Sequence, residues 1–272
     1  MSDLLLRSPQ SLIRQSYQAR ERTEPLNGDG FGVGWYADGP DTTPALFTSV
    51  QPAWGNRNLT RLAPKISSTC FFAHVRAASK GSPITELNCH PFQHGRFLWM
   101  HNGRIANFQR IKRRLQERLS DQFYDCVLGT TDSEHAFALF LQRLQADLDS
   151  YTVQSLEDAL ITTIQELNEL TSTVACSEPS HYNFAVTDGQ LLLASRYASD
   201  QAREAETLYV SKGARLDTRD RQYQMVPADE RGVETVILAS EPLTDIREDW
   251  QPLPRNHLLS VSAEFQVRIR AI

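Results

Sequence analysis

The chain has 272 residues, 40% of them apolar and 22% charged, with a formal net charge of −5. This balance excludes long-range disorder and gives no reason to expect nucleic acid or an anionic membrane as partner. No apolar run reaches membrane-spanning length, and Met1-Ser2-Asp3-Leu4-Leu5-Leu6-Arg7 lacks the features of a signal peptide, so the expected setting is the cytoplasm.

In chain order, Ser8-Pro9 reads as a helix start, with serine as N-cap and proline at the first helical position, continued over 10–20. Phe31-Gly32-Val33-Gly34-Trp35-Tyr36 alternates large and small residues as a closely packed strand does, and Ala45-Leu46-Phe47 is its expected partner across a Gly39-Pro40 turn. The apolar runs 70–75 and 97–100 read as central strands. Helices follow over 108–119, 132–144 and 156–170, each with apolar residues at helical spacing. Residues 183–187 and 191–194 form a hairpin through Asp188-Gly189, and 207–211, 235–239, 257–261 and 265–269 add four strands. The polar 200–206 and charged 215–221 read as surface loops. Strands, then helices, then strands, without βα alternation, predict helices packed on largely antiparallel sheets in an α+β domain spanning 1–272.

Four polar segments stand out. In Asn27-Gly28-Asp29-Gly30-Phe31-Gly32-Val33-Gly34-Trp35 the glycines run into a strand and no Lys-Ser/Thr follows, which argues against a P-loop or dinucleotide fingerprint and for a tight turn opening a packed strand. In His74-Val75-Arg76-Ala77-Ala78-Ser79 an arginine leaves an apolar strand; it reads equally as a fork for a carboxylate or as a surface residue. Asn88-Cys89-His90-Pro91-Phe92 precedes Trp99-Met100-His101-Asn102-Gly103, whose Asn-Gly is either a hairpin turn or a pair of oxyanion donors. Asn107 begins the next helix. In Gly129-Thr130-Thr131-Asp132-Ser133-Glu134, Thr131 or Asp132 fits an N-cap, while Asp132 could instead meet an ammonium group.

Five of seven histidines (74, 90, 94, 101 and 135) share this region with Cys70 and Cys89, but their spacings match no common zinc pattern. Neither metal nor cofactor is expected. The four cysteines (Cys70, Cys89, Cys126, Cys176) form no CxxC pair and read as reduced, buried thiols.

In this order the segments resemble the class II glutamine amidotransferases of the N-terminal-nucleophile hydrolases, closest to the stand-alone YafJ-like and EgtC-like type. Ala239-Ser240-Glu241-Pro242-Leu243 extends the likeness toward the C-terminus. The resemblance implies a four-layer α/β/β/α sandwich of two mainly antiparallel sheets. It implies that Arg76, helped by Ser79, pairs with the α-carboxylate of glutamine or a γ-glutamyl compound. Asp132 would hold the α-ammonium, and Asn102 with the Gly103 N–H would form the oxyanion hole. The activity implied is hydrolysis of the γ-glutamyl amide bond, including that of a γ-glutamyl-peptide intermediate as in ergothioneine synthesis. A separate ammonia-accepting partner or a homo-oligomer is left open.

One departure concerns the nucleophile. The family places a cysteine directly after the initiator methionine, at the head of a strand; here Ser2 stands there. Three readings compete. The recorded start lies downstream of the true one, which is favoured; or the protein has lost hydrolysis and only binds glutamine or regulates a partner; or Ser2 serves as a weak substitute. Ser2-Asp3 resembles a helix cap more than a strand head. Residues 54–57 and 241–250 are the loops expected to choose among substrates.

Overall fold

In the computed structural model, which describes all residues except 80, 145–149, 175–177, 220–221 and 231, the elements alternate much as their patterning predicts. Leu12–Gln18 (α1) is followed by Phe31–Trp35 (β1), Ala45–Ser49 (β2), Arg57–Leu62 (α2) and Phe71–Val75 (β3). Phe92–His94 (β4) and Phe97–Arg104 (β5) precede the helices Phe108–Gln116 (α3), Asp121–Tyr124 (α4), Asp132–Leu144 (α5) and Val153–Ser172 (α6). Strands dominate the remainder: His181–Thr187 (β6), Leu192–Arg196 (β7), Tyr209–Gly213 (β8), Arg215–Arg219 (β9), Gln222–Val226 (β10), Thr235–Ala239 (β11), Gln251–Pro252 (β12), His257–Val261 (β13) and Val267–Ala271 (β14).

Every strand pair is antiparallel. One six-stranded sheet has the order β14-β13-β7-β6-β5-β4. Opposite it lie two three-stranded sheets, β2-β1-β3 and β11-β8-β12, with the β9–β10 hairpin beside them. Helices α3, α5 and α6 cover the six-stranded sheet over a large core in which Trp99, Phe140 and Phe184 are fully buried. A smaller core joins Phe31 and Val33 of β1 to Leu59 of α2 and to Leu12 and Ile13 of α1. Tyr36, Phe72 and Leu98 then join the two sheet layers to each other. The result is helices, sheet, sheet, helices: the α+β sandwich.

The helices follow from their side chains. Ile111 and Leu115 of α3 are completely buried while Arg110, Arg113 and Arg114 face outward. Helix α5 is buried on nearly every side because α3, α4, α6 and β5 pack around it. Helix α6 opens with a capping box between Thr152 and Ser155.

Four local readings need correction. Ser8 and Pro9 do not open a helix: Ser8 ends a five-residue π-helical turn, Asp3–Arg7, and the cap of α1 is Ser11. A residue before proline is pushed out of helical geometry, and Ser8 accordingly sits at ψ 152°. Within the charged stretch read as a loop, Arg215–Arg219 is a strand paired with Gln222–Val226; 220 and 221 lie outside the described residues. The strand at 71–75 is an edge strand rather than a central one, paired only with β1 among the described residues. The last strand begins two residues later than its pattern suggests, because Phe265 adopts φ 58° in the preceding turn.

Candidate active site

A cavity of about 1670 Å³ lies between the layers. All four polar segments reach it, but unequally. The glycine-rich segment contributes only Asn27; the others contribute Arg76 to Ser79, His90 with His101 to Gly103, and Thr130 to Ser133.

The glycines of β1 are packing residues, as the tight-turn reading expects. A Cβ on Gly32 would stand 2.2 Å from the His90 carbonyl oxygen, so only glycine lets β1 lie against the His90-Pro91 segment. Asp29 has a separate task. Its carboxylate accepts from Ala78 N at 2.8 Å, and its own N–H donates to Arg76 O at 2.9 Å, which fixes the chain where it leaves β3.

Arg76 is therefore held from both sides. It is 5% exposed, and its guanidinium donates to Asp29 O (3.4 Å), Ser82 Oγ (3.1 Å) and Pro83 O (3.3 Å). None of these acceptors is charged, and among the described residues no carboxylate lies within ion-pair distance. A buried cation without a counter-ion is costly unless a bound anion completes it. Ser79 lines the same wall, but the serine bonded to Arg76 is Ser82.

Asn102 and Gly103 are not in a turn. They lie inside β5, opposite Asn183 and Tyr182 of β6. The Asn102 amide donates to Ser240 Oγ at 3.1 Å, which anchors it to the Ala239-Ser240-Glu241 turn. Gly103 has φ 147°, and a Cβ there would meet the His181 carbonyl oxygen at 2.1 Å. Below the strand, His101 Nε2 lies 2.9 Å from His181 O, so that nitrogen carries the proton; Nδ1 then accepts from Ser133 Oγ at 2.9 Å. Burial pushes the His101 pKa down, in keeping with a neutral ring.

Thr131 caps α5: its hydroxyl accepts from Glu134 N at 3.2 Å. Asp132 is thereby relieved of that role. Its Oδ2 accepts from Ile105 N at 2.7 Å and Oδ1 from Ser133 N at 2.9 Å, so the carboxylate ties α5 to the end of β5 while still bordering the cavity.

His74 and His90 complete the wall with ring centroids 4.4 Å apart. Burial, then the charges of His101, Arg76 and Arg22, hold His74 down at about 3; burial and the neighbouring His74 hold His90 well below its ordinary value. Both rings are neutral near pH 7. Among the described residues no group of three His, Cys, Asp or Glu side chains could hold a metal ion.

Ser2 precedes the Asp3–Arg7 turn without a side-chain capping bond, and unlike its neighbours Met1 and Asp3 it does not line the cavity. Cys70, Cys89 and Cys126 are free thiols whose pKa values burial pushes up; Cys176 lies outside the described residues. Of the loops expected to choose substrate, Glu241 and Leu243 reach the cavity, while Trp54 packs edge-on against Tyr17 away from its lining. Asn88, Ser82 and Ser240 support the site without having been singled out in the sequence. Asn88 and Ser240 sit in segments noted for other residues; Ser82 carried no signal.

Chemically, the wall offers an unpaired cation, a carboxylate and an amide donor beside a glycine, in a space large enough for an amino acid and a further group.

A family model described as glutamine amidotransferases class-II matches residues 8–268. The chain is 40% identical to the probable glutamine amidotransferase DUG3 of Saccharomyces cerevisiae, over 97% of this chain and 78% of that protein. It is 29% identical to the gamma-glutamyl-hercynylcysteine sulfoxide hydrolase of Mycolicibacterium smegmatis, over 96% and 90% of the two chains. Among solved structures, a glutamine aminotransferase class-II domain protein from Silicibacter pomeroyi superposes with a TM-score of 0.66 at 30% identity, covering 89% of this chain and 91% of that one. No helix among the described residues is long and apolar enough to cross a membrane.

Proposed function

The chain belongs to the class II glutamine amidotransferases, and on that footing we propose that its cavity binds glutamine or a γ-glutamyl compound and cleaves the γ-amide bond. The observation that carries the reading is Arg76: a buried guanidinium with only neutral partners, facing a cavity that also holds Asp132 and Asn102. The substrate α-carboxylate supplies the missing anion in a charge-assisted pair. Asp132 keeps lone pairs free for the α-ammonium, and Ser79 closes the wall beside Arg76. The γ-carbonyl oxygen then takes the Asn102 amide and the Gly103 N–H as oxyanion donors. Attack on the side-chain carbonyl carbon, Cδ, forms an acyl intermediate, the C–N bond breaks, the amine leaves protonated, and water releases the glutamyl group.

The cavity volume favours γ-glutamyl compounds as well as glutamine, since an amino-acid head fills only part of it. The names of the two relatives, one an amidotransferase and one a γ-glutamyl hydrolase, span the same pair of substrates. We assign the attacking atom to none of the described residues: Cys70 borders the cavity but burial raises its pKa, and Cys89, Cys126 and Ser2 stand off the wall. One domain over the matched span, a cytoplasmic setting, and release of the amine to solvent or to a separate acceptor protein complete the reading.

The test is calorimetric binding of L-glutamine and a γ-glutamyl dipeptide, with amine release assayed on this chain and on one preceded by Met-Cys and a short apolar strand. Binding that Arg76→Ala and Asp132→Ala each weaken at least tenfold, about 1.4 kcal/mol, is the expected result. Absence of binding to the unsubstituted chain sinks the proposal. Binding without turnover in either form points instead to a protein that only binds its ligand.

A further inference from the structure

We propose that Asn88 is a positioning residue that sets the distance between Arg76 and Asp132, so that the two ends of an amino-acid head are read together rather than separately. The inference rests on the substrate reading above.

Asn88 is 1% exposed and does not line the cavity. Its amide nevertheless joins the two walls that do. On one side Nδ2 donates to Pro83 O at 2.9 Å, the same carbonyl that accepts from Arg76 at 3.3 Å. On the other side Oδ1 accepts from Thr130 N at 2.9 Å, and Nδ2 lies 3.1 Å from Thr130 Oγ1. Thr130 is two residues from Asp132. One planar amide thus spans the carbonyl that steadies the guanidinium and the backbone that carries the carboxylate.

The Asp132 side of this bridge is rigid. The Glu134 carboxylate accepts from Leu128 N at 2.9 Å and Gly129 N at 2.8 Å, closing the loop ahead of α5. Gly129 has no space to shift toward Asn88, since a Cβ there would lie 2.5 Å from Asn88 Oδ1. The Arg76 side is rigid as well, through Asp29 and Ser82. Among the described residues Asn88 is the side chain that bonds to both walls. An asparagine suits the place because it offers a donor and an acceptor on separate atoms of one plane, which a single hydroxyl does not.

A spacing role makes a prediction that a purely structural role does not. When both ends of a ligand are held by fixed groups, a ligand with both ends gains far more than either end alone. The probes are L-glutamine, glutaramate, which lacks the α-ammonium, and γ-aminobutyramide, which lacks the α-carboxylate. Their binding to the full chain is measured by calorimetry, with melting temperature recorded alongside. In Asn88→Ala, affinity for L-glutamine is expected to fall about tenfold or more while the affinities of the two one-ended probes change less than threefold. Thr130→Ala, at an exposed residue on the cavity wall, removes the Oγ1 bond of the link while the N–H bond stays, and is expected to act in the same direction by a smaller factor, which keeps the test open if Asn88→Ala does not fold. If the substituted chains keep the unsubstituted preference for L-glutamine over the one-ended probes, or lose all three ligands equally, the spacing role is wrong though the substrate reading stands. If the unsubstituted chain binds none of the probes, the substrate reading fails and this inference falls with it.

Discussion

Gly103 allows the sharpest residue-scale prediction, because two independent constraints meet at it. Its φ of 147° disfavours any L side chain, and a Cβ would collide with the His181 carbonyl at 2.1 Å. Gly103→Ala is therefore expected to lose both stability, by about 2–3 kcal/mol, and the oxyanion geometry proposed for β5. Denaturant unfolding and the rate of amine release together check it; an alanine variant with unchanged midpoint would refute the steric account. The residue-scale reading of the sequence was uneven for a physical reason. Arg76, Asn102 and Asp132 carry functional groups that announce a binding chemistry, and all three border the cavity. Asn88 and Ser82 act by holding other residues, and nothing in a single sequence marks a side chain whose partner lies some forty residues away, as Thr130 does from Asn88.

At the scale of elements, the Ala239-Ser240-Glu241-Pro242-Leu243 turn has the widest reach. Ser240 holds Asn102, Leu243 O accepts from Gln10 N, and the Glu241 carboxylate accepts from Arg20 N (2.7 Å) and Glu21 N (3.0 Å) just past α1. Among the described residues these two N–H groups have no other acceptor, and Glu241 is 4% exposed. Glu241→Ala is expected to cost about 2–4 kcal/mol by orphaning them, and to raise KM by letting the turn drift from Asn102. A thermal melt with steady-state kinetics tests both parts, and a variant with the original melting temperature would contradict the first. Helices α5 and α6 were legible because their apolar spacing and caps are local signals. The β9–β10 pair was missed because the charges of Arg215, Asp217 and Arg219 outweigh the weak alternation of Leu216 and Thr218 opposite Tyr223 and Met225. The start of α1 was misplaced because Ser8-Pro9 satisfies the sequence pattern for a helix start equally well when it ends a preceding turn.

For the whole molecule, the buried histidines govern acid stability. His74 is held at about 3 and His135 at about 4, and His90 and His101 are also lowered, burial being the leading cause in each. Each takes up a proton on unfolding near its ordinary value of about 6.5 but not while folded. The unfolded state therefore binds more protons below that value, so stability is full above it and is lost as pH falls toward the folded values. Between about pH 7.5 and 5.5 His74 and His135 should each remove about 1.4 kcal/mol, together on the order of 3 kcal/mol, and His90 and His101 act in the same direction. Urea unfolding at the two pH values measures this, with His74→Phe expected to lessen the drop by about one such step; a flat profile would show that these rings titrate normally. The α+β class was readable from the order of strands and helices, while the layering followed only from the family resemblance, because which faces of two sheets meet depends on contacts such as Tyr36 with Phe72 and Leu98. That layering also bears on solubility. An unpaired strand edge is ordinarily a template for association with other molecules. Among the described residues β3 and β11 each have one such edge, and both strands border the cavity. Because the residues of both strands line the cavity, these two edges border an internal slot, while β2, β4, β12 and β14 form the other ends of the larger sheets.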